Sequence, residues 1–156
     1  MKKFFFDSGT RDATASFGLV GLRVMIGGMM MFGHGIPKIM GFAALKDSFY
    51  VADFFPFYYL SPPVSLMGCI GAEVVASALI ILGLAMRPAA FVLGFNMVVA
   101  AFAAQATLPW FLSPGVPMAK EPALLYLIPL MVMILTGAGK FSLDACFYNQ
   151  DKRRRW

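Results

Sequence analysis

An all-α membrane protein, a bundle of four transmembrane helices with both termini cytoplasmic, is the architecture these 156 residues predict. Three observations carry that expectation. The chain is 60% hydrophobic, with a mean hydropathy of +0.75, where a soluble domain is closer to half apolar. The apolar residues fall into four long runs separated by short clusters of Pro, Gly and charge, and runs of about 18 residues or more can cross a bilayer core of about 30 Å. Lys and Arg gather beside the ends that would share one face of such a bundle.

The first span is expected at about 17–36. It follows "MKKFFFDSGTRDATASF", which begins basic and turns polar. The run is too long for a signal-peptide core and no small-residue cleavage site follows, so the start reads as retained. Pro37 should end or kink this helix. The connection "SFYVADFFPFYYLSPP" is too interrupted by Asp53 and Pro56 to cross. Its rings suit the headgroup boundary, as a short helix lying on the membrane or dipping in as a lid. The second span is expected at about 64–86 and the third at about 89–107, entered at Pro88. Proline is tolerated at a helix start, where its missing N–H would be unpaired anyway. A second outer connection, "LPWFLSPGVPMAKEP", offers Trp110 as an interfacial anchor. The fourth span, about 123–139, follows Pro122 and should bend at Pro129. It ends in "TGAGKFSLDA", where Gly137 and Gly139 can stop the helix and Ser142 can cap a short one that follows. One domain covers 1–156, without internal repeats.

Orientation follows the basic residues. Lys2, Lys3 and Arg11 precede the first span, Arg87 separates the second from the third, and Lys140 and Lys152 to Arg155 follow the fourth. The other side holds Lys38, Lys46 and Lys120. Both termini are therefore expected in the cytoplasm. The tail "KRRRW" either marks topology alone or also holds anionic headgroups, at about 1 kcal/mol per basic residue.

Cysteine usage narrows the chemistry. Cys69 and Cys146 fall on opposite sides of this topology, which argues against a disulfide. There is no C-x-x-C, no paired Cys/His spacing and no haem-attachment motif. Redox chemistry would need a quinone, another cofactor or a partner. No metal or haem is predicted, and nothing points to nucleic acid.

The informative residues are the polar ones inside the spans. On a regular helix Arg23, Gly27, Met31, His34 and Lys38 fall within an arc of about 80°, which should face the bundle. Glu73 lies near the middle of the second span, with Ser65, Cys69 and Ser77 on its face. An unpaired charge at that depth costs at least about 2.5–3.5 kcal/mol. Two readings follow. In one, Arg23 and Glu73 form an interhelical clasp and His34 sits near the outer interface. In the other, Arg23, His34, Lys38 and Glu73, with Asn96 of the third span, line a pocket for a quinone or lipid headgroup. Glu73 and His34 are then the candidates to carry protons. Asn96 and Gln105 are on opposite faces of a regular helix, so both cannot line one pocket without a distortion. The three methionines Met29 to Met31 point about 100° apart and cannot converge on a copper ion. One His and one Glu are too few ligands for a metal.

Three pieces, "LRVMIGGMMMFGHGIPKIMGF", "GAEVVASALIILGLAMRPAA" and "GAGKFSLDA", together resemble the DoxX family of small bacterial membrane proteins. The resemblance implies a four-helix inner-membrane bundle and carries attention to Arg23, His34, Lys38, Glu73 and Arg87. The Pro in "HGIPK" departs from the pattern and bears on the aim of Lys38. Similar proteins are linked to quinol oxidation or partner redox proteins. The resemblance thus implies a membrane protein serving a quinone-linked redox system, as a subunit of a quinol-linked oxidoreductase. A non-catalytic accessory subunit, alone or as a homo-oligomer, is the alternative. A small transporter is weaker, since four spans leave little room for alternating access.

Overall fold

The structure, a computed structural model, describes residues 9–10 and 12–147. Among these residues every regular element is helical, and one isolated bridge pairs Ser113 with Val116. Helix α1 spans Ala13–Met40, α2 is the short Phe42–Leu45, α3 spans Pro62–Leu82, α4 spans Met86–Ala104 and α5 spans Glu121–Thr136. α1, α3 and α4, with 28, 21 and 19 residues, are long and apolar enough to cross a membrane. α5 is apolar but shorter, at 16 residues, about 24 Å at a rise of about 1.5 Å per residue. We call the end at which α1 starts the lower end.

Asp12 starts α1. Its carboxylate accepts from the Ala15 N–H at 2.7 Å, which satisfies one of the donors a helix start leaves free. Of the two outcomes expected at Pro37, the helix does not end there, but its regular α-helical winding is broken just before it. The turn Met31–Gly35 just before it is π-helical, and the Ile36 N–H reaches back to the Met31 carbonyl. The widened turn supplies room for the proline ring, so α1 continues to Met40. α3 carries a second π-helical stretch at Gly71–Ala76, and α4 ends in a third at Ala100–Ala104. Between α3 and α4 the chain turns through left-handed Gly83 (φ 66°) and Ala85 (φ 47°).

α1 lies against α3 through glycines. A Cβ at Gly27 would meet Ile81 Cγ1 at 2.7 Å and the Ser77 carbonyl at 3.0 Å; one at Gly35 would meet the backbone of Glu73 at 3.2 Å. Small residues let the two backbones approach, as in membrane helix pairs generally. α4 and α5 form the largest helix pair, with Gly94 in contact with Leu127 and Leu130. Met30, Ile80, Leu93, Leu130 and Met133 fill the centre. Outward-facing side chains such as Phe17, Met40 and Leu135 are large, apolar and exposed, as expected of a surface solvated by lipid.

At the upper end the first connection forms one 3₁₀ turn, Phe57–Tyr59, instead of a membrane-lying helix. Phe57 packs on Phe95 of α4 at 5.7 Å between ring centroids, and Ser65 Oγ donates to the Tyr50 carbonyl. In the second connection the buried Lys120 donates to the Ala106 carbonyl at 2.9 Å and lies over the Trp110 ring. At the lower end, residues 137–147 cross under the bundle as a strap. Gly137 and Gly139 have φ of 76° and 80°. The Lys140 N–H donates to Ser16 Oγ of α1 at 3.0 Å. Ser142 caps helical residues 143–147, its Oγ accepting from the Ala145 N–H, as the sequence indicates.

The glycine seam makes a prediction. Gly27→Leu should lower the thermal midpoint in mild detergent by the equivalent of about 1–3 kcal/mol through overpacking. Gly28→Ala, with nothing within 4 Å of the added carbon, should leave it unchanged or raise it by up to about 1 kcal/mol.

Candidate functional site

Glu73 sits in the π-helical stretch of α3, buried at 4% exposure. Lys38, on the last turns of α1, donates to both of its carboxylate oxygens, at 2.8 and 2.6 Å. Cys69, one turn earlier on α3, lies with Sγ 3.4 Å from Glu73 Oε1. Asn96 of α4 offers its Nδ2 to the same oxygen at 3.4 Å and to Cys69 Sγ at 3.7 Å. Three helices therefore converge on one carboxylate. The Lys38 side chain is 23% exposed and that of Glu73 5%, so the lysine is the accessible member.

Two wide turns create this meeting. Gly35 closes the turn Met31–Gly35 and packs against the backbone of Glu73. An extra residue in that turn rotates everything after it by roughly 100° relative to a regular helix. Gly35, not His34, consequently faces α3. His34 is exposed and meets the edge of Tyr126 on α5, with ring centroids 5.8 Å apart. It makes no hydrogen bond with Glu73 among the described residues. In α4 the π-helical turn lies between Asn96 and Gln105, so the distortion that a shared face would require is present.

Arg23 is elsewhere, which corrects the expected Arg23–Glu73 clasp. The guanidinium is buried at 2% exposure near the lower end, where Nη2 donates to the Phe141 carbonyl at 2.6 Å. The Asp144 carboxylate lies close enough to attract it. A Cβ at Gly83 would run into Arg23 Nη1, so Arg23 is level with Gly83 while Gly35 is level with Glu73. The twelve steps from position 23 to position 35 separate the two charges by roughly 18 Å along the axis, beyond any arginine's reach. Asp144 also accepts from the Ala85 and Met86 N–H groups at 2.9 and 3.0 Å, and its own N–H donates to the Gly83 carbonyl. It thereby caps α4 from the far end of the chain, beside the helix's positive pole.

Of the candidates for ligand binding, the structure thus brings Lys38, Glu73 and Asn96 together, sets His34 on the α5 side of α1, and removes Arg23 to the strap. Cys69 joins the cluster; its four-residue spacing from Glu73 was the available signal. Tyr126 had none, and Asp144 stood out only as part of the family-like piece "GAGKFSLDA". Among the described residues no three His, Cys, Asp or Glu side chains converge as metal ligands.

Three apolar helices of spanning length around a part-buried Lys–Glu pair define a helical integral membrane protein. The family model for DoxX matches residues 18–106, more than half of the chain, and the protein belongs to the DoxX family. That range contains Lys38, Cys69, Glu73 and Asn96 and ends before α5 and the strap. No curated protein and no solved structure matches the chain.

Two predictions follow from this geometry. Lys38→Met leaves a buried carboxylate unpaired and should cost about 3–5 kcal/mol in detergent melting. Glu73→Gln should cost less, because the partly exposed lysine can swing toward the interface. The double variant should recover most of the loss. Separately, Asp144→Ala should destabilise by about 0.5–2 kcal/mol. Hydrogen exchange at the Ala85 and Met86 amides should accelerate before the rest of α4 is affected.

Proposed function

We propose that this DoxX-family protein binds the polar head of a membrane-soluble carrier, a quinone, at the Lys38–Glu73–Asn96–Cys69 cluster and so serves a quinone-linked redox system. One observation carries the reading: an ion pair inside apolar helices that keeps an unused donor. A lysine ammonium has three N–H donors, and two are engaged with Glu73. The third suits an acceptor such as a ring carbonyl. His34 and Tyr126 stand on the α5 side of the same helix turn, where a titratable ring suits proton exchange. The chain's own residues position and hydrogen-bond the headgroup; electrons come from a partner, since no cofactor motif is present in the sequence.

The reading includes a bacterial inner-membrane location with both termini cytoplasmic, in line with the basic residues at the lower end. In this reading the shorter apolar helix α5 is the fourth crossing. An accessory-subunit role is favoured by a different observation. Gly18, Gly21, Gly28 and Gly33 of α1 face open space, which leaves room for another helix. A stoichiometric redox partner pulled from native membranes, with no quinone bound, would select it.

The test is ligand-dependent melting in mild detergent with a short-chain quinone. At about 100 times its dissociation constant, a ligand should add about 2.7 kcal/mol of stability to the native chain. The Lys38→Met/Glu73→Gln double variant, which removes both charges together, should show no shift. An unshifted native protein, with no quinone in its lipid extract, removes the proposal.

A further inference from the structure

The strap ends in a helix with reversed polarity. In residues 142–147 the polar positions Ser142 and Asp144 point inward. Ser142 and Asp144 are buried, hydrogen-bonded to Gly139 and to the start of α4. The larger apolar positions point outward, while the small Ala145 is buried. Leu143, Cys146 and Phe147, at i, i+3 and i+4, share one exposed face within about 100° of arc. Phe141 is 50% and Phe147 59% exposed beside them. Lys140 reaches over the Phe141 ring at 5.9 Å, its ammonium at the edge of this apolar patch.

The strap's inward contacts, to the buried Ser16 of α1 and Met86 of α4, hold it against the lower end of the bundle and leave this face uncovered. Water would be a poor solvent for it. The sequence then supplies charge of one sign. Lys152, Arg153, Arg154 and Arg155 precede Trp156, outside the described residues. They begin five positions after Phe147, no more than about 18 Å of chain. Exposed apolar side chains, followed in the sequence by clustered bases and a tryptophan, match an interface between acyl chains and negatively charged headgroups.

We propose that the outward face of residues 141–147 is an interfacial anchor that lies in the bilayer leaflet at the lower end and is held there by anionic phospholipid headgroups. The anchor works independently of what the Lys38–Glu73 cluster binds. It presses the strap, and with it Asp144 and the Phe141 carbonyl, against the underside of the bundle. Anionic lipid should therefore reinforce the Arg23 and α4-cap contacts.

The test places an environment-sensitive fluorophore on Cys146 of the full chain in a Cys69→Ser background whose melting is checked beforehand. The protein is reconstituted into nanodiscs of phosphatidylcholine alone or with phosphatidylglycerol. Brominated acyl chains should quench the probe at least about threefold more with phosphatidylglycerol present. Replacing Lys152, Arg153, Arg154 and Arg155 by Gln should abolish the difference. Equal quenching by brominated lipid in both compositions rejects the role of anionic headgroups. Equal quenching by aqueous iodide in both shows the face in water and overturns the proposal. A probe that neither quencher reaches shows the face covered by protein, which overturns it as well.

Discussion

Lys38 and Glu73 hold opposite charges 2.6 Å apart within helices made almost wholly of apolar residues. Neither charge could stay there alone without a cost of several kcal/mol. The pair therefore fixes how far α1 is inserted beside α3, because sliding by one turn would part the charges by about 5 Å. Close approach at Gly35 and the wide turns at Met31–Gly35 and Gly71–Ala76 are the local conditions that let the pair form. Asn96 and Cys69 then complete the surroundings of one carboxylate oxygen from two directions.

The lower end solves a different problem with different groups. There, turns and helix starts leave backbone donors and acceptors to be matched. Ser16, Asp144 and Ser142 match them from positions far apart in the chain. Arg23 belongs to this set through the Phe141 carbonyl. The two polar regions are separated by several turns of Met, Leu and Ala packing around Met30 and Ile80. The lower region is sealed, whereas the upper one keeps a partly exposed lysine. That difference is why the ligand-binding reading attaches to the upper region.

Much of this was legible in the residues. Hydropathy placed the four apolar helices, with α1, α3 and α4 of spanning length, because burial in lipid leaves long uninterrupted runs. The Ser142 cap was legible because capping is local. Asn96 and Glu73 stood out because polar groups at that depth are costly. Partner choice was not legible. It depends on rotation along α1, and a single wide turn changes that rotation by about one residue position. A reading at 100° per residue kept His34 on the inward face and carried Arg23 toward Glu73. Axial register decides the second point, and it is set by Gly27 and Gly35 against α3, contacts that spacing alone does not reveal.

The bond between Arg23 and Phe141 joins residues 118 positions apart. A ribosome feeding the membrane from the N-terminus delivers the arginine long before its acceptor has been translated. Through most of synthesis the guanidinium must find provisional company, at the headgroup boundary or in the insertion machinery. Final seating of the first helix thus waits on residues 137–147, and a product truncated before them would stall with that span unsettled.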